Sequence, residues 1–351
     1  MTSASPWEKL ILRPALTTAA ETPPPTEIPV FLYGTAWKKE QTGYFVYQAL
    51  ASGFKGIDTA AQPKHYREDL AGAGLRRALA DDRVKREDLY VQTKFTPIAS
   101  QDPTSAPYDP SAPIAAQIHS SIKSSLANLR PLDDISSERE TYLDALILHS
   151  PLPTISETLE AWEILEEYVP HRIRNLGISN CDLSLLRTLC RSAKVKPAVV
   201  QNRFYPVSRF DISLRQFCHE NSIIYQAFWT LTANSELVRS TEVGMLSQQV
   251  RITRQAALYC LVLGLEGTVI LNGTKNEGRM LGDLTAPKAV EEFATKYPEQ
   301  WDTLLVGFKK KIENKEVKKT GETKRRNMAA WNPDDGARWE NNKTETQYEQ
   351  K

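Results

Sequence analysis

The chain has 351 residues, 41% of them hydrophobic and 25% charged, so it can bury a large core without a bilayer or an obligate partner. A formal net charge of +1 with interspersed signs excludes a broad basic face for nucleic acid or anionic membrane. Cys181, Cys190, Cys218 and Cys260 have neither metal-ligand spacing nor the density of a disulfide framework, which points to a reducing compartment.

Residues 1–27 lack the apolar core of a signal peptide, and no run approaches the roughly 18 consecutive apolar residues of a membrane span, so a cytoplasmic protein is expected. Pro23, Pro24 and Pro25 sit in a polar stretch that reads as an extended arm, with the folded domain beginning at the apolar run 28–33. Further strand patterns occupy 56–59, 89–94, 143–149, 174–179, 198–202, 223–228 and 268–271, which makes eight. Helical patterns at 44–51, 70–80, 114–129, 155–168, 183–192 and 252–265 fall between them.

Alternating strands and helices imply a parallel sheet with helices outside it. No G-x-G-x-x-G follows an early strand, and Gly72-Ala73-Gly74 lies inside a helical pattern. A (β/α)8 TIM barrel over 28–308, with a C-terminal helical extension, is therefore favoured over an open doubly wound sheet. Segments 96–113 and 230–242 read as irregular loops over the C-terminal end of the barrel. Residues 309–351, with Trp331 and Trp339, read as a polar and disordered tail.

In a barrel, chemistry belongs where strands end. The second, third and fourth strands end in Asp58, Lys94 and His149, and Tyr66 lies in the loop after the second. Reduction of a carbonyl requires a proton for the oxygen that turns negative as hydride reaches carbon. Tyr66 is the expected general acid, with Lys94 lowering its pKa and Asp58 keeping Lys94 charged and oriented. His149 is expected to donate to the substrate oxygen. Each residue alone has an ordinary structural explanation, but four such groups ending consecutive elements at one rim do not. Trp37, Phe204 and Trp229 follow the first, sixth and seventh strands and are candidates for an aromatic or hydrophobic substrate wall.

At this point the chain resembles the aldo-keto reductase family, as a fungal-type member. Gly34-Thr35-Ala36 is similar to the family's turn after strand one, and Gly53-Phe54-Lys55-Gly56-Ile57-Asp58-Thr59-Ala60 to its strand-two signature. Residues 143–151, LDALILHSP, resemble the strand-four signature, IRNLGISN at 173–180 the strand-five one, and Val200-Gln201-Asn202 the strand-six one. The resemblance implies a catalytic tetrad of Asp58, Tyr66, Lys94 and His149. It also implies cofactor contacts from Thr35, Asp58, Ser179, Asn180 and Gln201, with Phe228 stacking on the nicotinamide where the family commonly has tyrosine. The phosphate stretch falls on Gly273, Thr274 and Arg279, with Lys275 nearby and a helix expected from about Asn276.

The resemblance thus implies an enzyme that reduces an aldehyde or ketone to an alcohol with NADPH in preference to NADH, with no metal, no nucleic acid and a monomeric state. Tyr66 stands eight positions after Asp58, an unusually long spacing, with His65 as a lesser rival. That spacing leaves open a non-catalytic, cofactor-sensing regulatory subunit of the same fold. A metal-dependent barrel hydrolase is a third reading, disfavoured by the scatter of the histidines.

Overall fold

A computed structural model describes residues 7–12, 25–134 and 140–313. Two short strands, β1 (Lys9–Ile11) and β2 (Glu27–Pro29), pair antiparallel with Leu10 opposite Ile28. Eight parallel strands follow: β3 (Phe31–Gly34), β4 (Gly56–Asp58), β5 (Tyr90–Phe95), β6 (Ala145–Leu148), β7 (Leu176–Ser179), β8 (Val199–Arg203), β9 (Ile224–Phe228) and β10 (Thr268–Asn272). They close in chain order into a barrel, with β10 pairing back onto β3 through Leu271 and Leu32. The expected strand at 28–33 is thus two elements, β2 and β3, which belong to different sheets.

Outside the barrel run α1 (Thr42–Ala51), α2 (Glu68–Ala80), α3 (Ile114–Asn128), α4 (Ile155–Glu166), α5 (Leu183–Ser192) and α6 (Ile212–Glu220). After them come α7 (Ser235–Val238), α8 (Thr241–Val250), α9 (Arg254–Leu263), α10 (Glu277–Lys296) and α11 (Pro298–Glu313). Several starts follow from local chemistry. Thr154 and Glu157 form a reciprocal capping box at α4, and Asp182, Ser240, Thr253 and Asn276 cap α5, α8, α9 and α10. The two glycines of α2 serve packing. A Cβ at Gly72 would strike the Asn128 carbonyl of α3, and one at Gly74 the Gly43 carbonyl of α1.

Three boundaries differ from expectation. The folded unit begins before Ile28, because Leu12 and Ile28 are both 0% exposed and pack with Leu32, Tyr90, Ala145 and Val269, which line the N-terminal ends of the barrel strands. Trp7 also packs edge-on against Trp301 of α11, with ring centroids 5.4 Å apart. The remaining arm positions, 1–6 and 13–24, lie outside the described residues. At the other end α11 continues past 308 to Glu313 with Ile312 buried, so 309–313 are helical, while 314–351 lie outside the described residues. Segment 230–242 is not irregular throughout, since it contains α7 and the first residues of α8. Helix α6 went unread because the run 212–220 alternates polar and apolar residues without a long periodic stripe.

Candidate active site

Parallel register brings the C-terminal ends of the strands to one mouth: Gly34 pairs with Asp58, Phe95 with Leu148, and Ser179 with Gln201. Asp58 closes β4, Lys94 lies near the end of β5, and His149 follows β6 with its amide bound to the Phe95 carbonyl at 2.9 Å. The Lys94 ammonium donates to both Asp58 carboxylate oxygens and to the Thr59 carbonyl, each at 2.7 Å.

Tyr66 reaches the same place through a turn on Gln62, whose carbonyl accepts from the amides of His65 and Tyr66 at 3.0 and 2.9 Å. The Gln62 side chain donates in turn to the Ser100 carbonyl at 2.6 Å. This turn absorbs the long Asp58–Tyr66 spacing. The Tyr66 ring meets the His149 ring edge-on at 5.9 Å and lies 5.0 Å from the Lys94 ammonium. His65 is buried instead against the Trp37 indole, with centroids 4.0 Å apart.

Electrostatics depart from expectation at one point. Burial pushes the Tyr66 phenol well above tyrosine's ordinary value, and the Asp58 charge adds to the rise. The cation that pulls it down is Arg203, not Lys94. The Lys94 ammonium is held instead on both oxygens of Asp58, 2.7 Å from each. Burial also lowers the Lys94 ammonium, against the pull of Asp58 and of Glu68. His149 is held well below the usual histidine value by burial first, then by the charges of Lys94, His65 and Arg203. Its ring is therefore neutral near pH 7, with Nδ1 2.7 Å from the Thr96 hydroxyl.

Beneath the quartet lies a polar layer of which sequence reading singled out only Gln201, and that as a cofactor contact. Gln92 and Gln201 donate to Asp58 Oδ1 at 2.6 and 3.0 Å, and both donate to Gln226 Oε1 at 2.8 Å. Glu68, buried at the start of α2, accepts from Thr93, Ser125 and Asn128. The available signal was a glutamine at the third position of each of the strands β5, β8 and β9.

The other predicted residues divide into groups. Ser179 donates to the Gln201 carbonyl at 2.6 Å, and Asn180, in the left-handed region at φ 56°, donates to the His149 carbonyl at 2.9 Å. Thr35 is fully buried, its hydroxyl turned onto the Asp58 carbonyl at 3.1 Å. Phe228, Trp229 and Trp37 stand half-buried on the rim, both tryptophans at positive φ, 60° and 62°. Backbone strain of this kind persists only where the surroundings over-determine it.

Phe204 does not belong to this wall. It is 0% exposed and packs on Phe210 at 5.0 Å, because its place one residue past β8 turns it outward, under the 3-10 turn Pro206–Asp211.

Gly273 and Thr274 follow β10, Asn276 caps α10 by accepting the Arg279 amide at 2.9 Å, and the Lys275 and Arg279 side chains are exposed there. The buried Lys38 ammonium, also missed, donates to the Gly273 carbonyl at 3.1 Å and ties the strand-one turn to this loop. Among the described residues no group of three or more His, Cys, Asp or Glu side chains is placed to hold a metal ion, and no helix is long and apolar enough to cross a membrane.

A closed eight-stranded barrel whose mouth gathers a phenol, an ammonium, a carboxylate and an imidazole defines a barrel enzyme equipped for proton transfer. The sequence profile of the Aldo/keto reductase family matches residues 32–259, and the chain belongs to that family, whose members are NAD(P)H-dependent oxidoreductases. An uncharacterized oxidoreductase of Schizosaccharomyces pombe is 28% identical over 78% of this chain and 89% of its own length. An NADP-dependent D-sorbitol-6-phosphate dehydrogenase of Malus domestica is 28% identical over 61% of this chain and 69% of its own. Among solved structures, a Bombyx mori aldo-keto reductase in complex with NADP shares the fold with a TM-score of 0.61 and 19% identity, over 80% of this chain and 89% of that one.

Proposed function

We propose that the protein reduces an aldehyde or ketone to an alcohol with NADPH, and that Tyr66 delivers the proton. The observation that carries this reading is the convergence of Tyr66 on the buried Lys94–Asp58 pair and on His149 at the mouth of the barrel.

The residues suit a dinucleotide. The Phe228 ring offers a stacking face at the end of β9, Ser179 and Asn180 stand at the end of β7, and Gln201 lies within β8. The capped N-terminus of α10, with Lys275 and Arg279 exposed, suits a phosphate, and Arg279 is the residue that would favour NADPH over NADH. The bound nicotinamide supplies the hydride.

The protein's own work is proton supply and orientation. The His149 ring is neutral, and a Thr96 hydroxyl donating to Nδ1 leaves Nε2 protonated, able to hold the carbonyl oxygen. As the carbonyl carbon is reduced, its oxygen becomes an alkoxide, more basic than an ordinary phenolate, and the Tyr66 O–H proton passes to it. A lowered phenol pKa is not required for that direction. The phenolate left behind faces Lys94 and Arg203 until solvent at the half-exposed rim returns the proton. Positioned proton transfer of this type contributes ~100- to 10,000-fold in rate.

The test is NADPH absorbance with purified protein and a panel of aromatic and aliphatic aldehydes, beside Tyr66→Phe and an NADH control. Carbonyl-dependent oxidation that fails in the variant supports the assignment. Tight NADPH binding with no carbonyl consumed would move the protein to the class of cofactor-sensing regulatory subunits. The Gln62 turn, which returns Tyr66 to the quartet, argues for turnover.

A further inference from the structure

Arg203, the last residue of β8, is a further cation at this mouth, outside the quartet of Asp58, Tyr66, Lys94 and His149. Its guanidinium donates to Asn180 Oδ1 at 2.8 Å and lies over two rim rings, 4.8 Å from the Trp229 centroid and 5.3 Å from that of Phe228. Asn180 is anchored in turn on the His149 carbonyl. The arginine is therefore aimed by a short chain of contacts that begins at a residue of the quartet. Its side chain is half-buried, and its charge reaches both the Tyr66 phenol and the His149 ring.

A guanidinium framed by an amide oxygen and two aromatic faces keeps its planar donors in one orientation, the geometry that receives a carboxylate in bidentate fashion. The rings beside it, Trp229 and Phe228, make the surroundings apolar enough for that contact to outweigh hydration.

We propose that Arg203 selects the substrate: the site takes small aromatic or aliphatic carbonyl compounds that carry a carboxylate a few bonds from the carbonyl, with the carboxylate on Arg203 and the carbonyl oxygen between Tyr66 and His149. This rests on the reductase reading and narrows it from any hydrophobic carbonyl to anionic ones.

The experiment compares 3-carboxybenzaldehyde with its methyl ester, matched in size and differing in charge at pH 7, using wild type, Arg203→Met and Arg203→Lys. The expected result is an acid-to-ester ratio of kcat/KM of about 10 or more in wild type, carried by KM. That ratio falls to near 1 in Arg203→Met and is partly kept in Arg203→Lys, a point charge without the fork. Thermal melting of each variant confirms that it is folded.

Equal use of acid and ester by wild type overturns the proposal. So does a ratio that survives Arg203→Met, including the case in which the variant instead weakens NADPH binding about tenfold, which would assign the guanidinium to a cofactor phosphate. Calorimetric titration of the NADP-loaded protein with 3-carboxybenzyl alcohol separates this from failure of the reductase reading. Arg203-dependent binding without turnover of either aldehyde would sink the reductase reading and keep the anion site, whereas absence of Arg203-dependent binding removes the anion site.

Discussion

The Lys94 ammonium sits 2.7 Å from each carboxylate oxygen of Asp58, and the two side chains are 0% and 2% exposed. Neither charge has water to fall back on, so each is tolerable only with the other in place. Lys94→Met leaves the Asp58 carboxylate buried against Gln92 and Gln201 alone. It should cost about 3–5 kcal/mol in urea denaturation, with part of the loss recovered in the Lys94→Met/Asp58→Asn double variant. A single-variant loss below about 1 kcal/mol would show that the pair relaxes toward solvent.

Tyr66→Phe keeps the ring that packs on His149 and removes only the hydroxyl. We expect kcat to fall ~100- to 10,000-fold while the stability changes by less than about 1 kcal/mol. A variant with wild-type kcat would transfer the proton donor's role to another group, His65 first.

Asp283 and His149 contribute to the pH dependence of stability with opposite signs. Burial raises Asp283 to about 6, although Asn272 donates to it at 2.8 Å. Its folded form binds more protons than the unfolded chain between about pH 4 and 6, so its contribution to stability is present below that window and lost as pH rises through it, by up to about 3 kcal/mol. The stability of Asp283→Asn relative to wild type should therefore increase from pH 4 to 7. A difference that does not change with pH would count against the raised value.

His149 works the other way. Its folded pKa is depressed, so the unfolded chain takes up the proton first and stability falls as pH drops below about 6.5. His149→Asn should flatten that acid limb in chemical denaturation between pH 5 and 7. An unchanged limb would place its cause in other groups.

Leu12 tests where the folded unit begins. It is 0% exposed among residues at the N-terminal end of the barrel, so Leu12→Ala should cost about 2–5 kcal/mol. A loss of a few tenths would restore the view of residues before 28 as a dispensable arm.

Much of the fold was legible because β/α alternation is a local pattern: each strand is a short β-rich run and each helix a periodic stripe, and in a parallel barrel chain order is also spatial order. Asp58, Lys94 and His149 could be placed at one rim for that reason alone. The first strand was misread because Val30, buried between β2 and β3, carries no mark of the break, and the sheet change there depends on pairing with Lys9–Ile11 far upstream.

The sequence by itself determined the barrel, the strand ends and the residue types that meet there, since these follow from periodicity and strand order. Only the tertiary structure decided which way each side chain faces and what surrounds it. It put Tyr66 rather than His65 against His149, turned Phe204 into the core, made burial rather than Lys94 the main influence on the phenol, and set Arg203 over Phe228 and Trp229. Those outcomes depend on contacts between residues tens to hundreds of positions apart and on how much water each contact excludes, quantities with no local period to read.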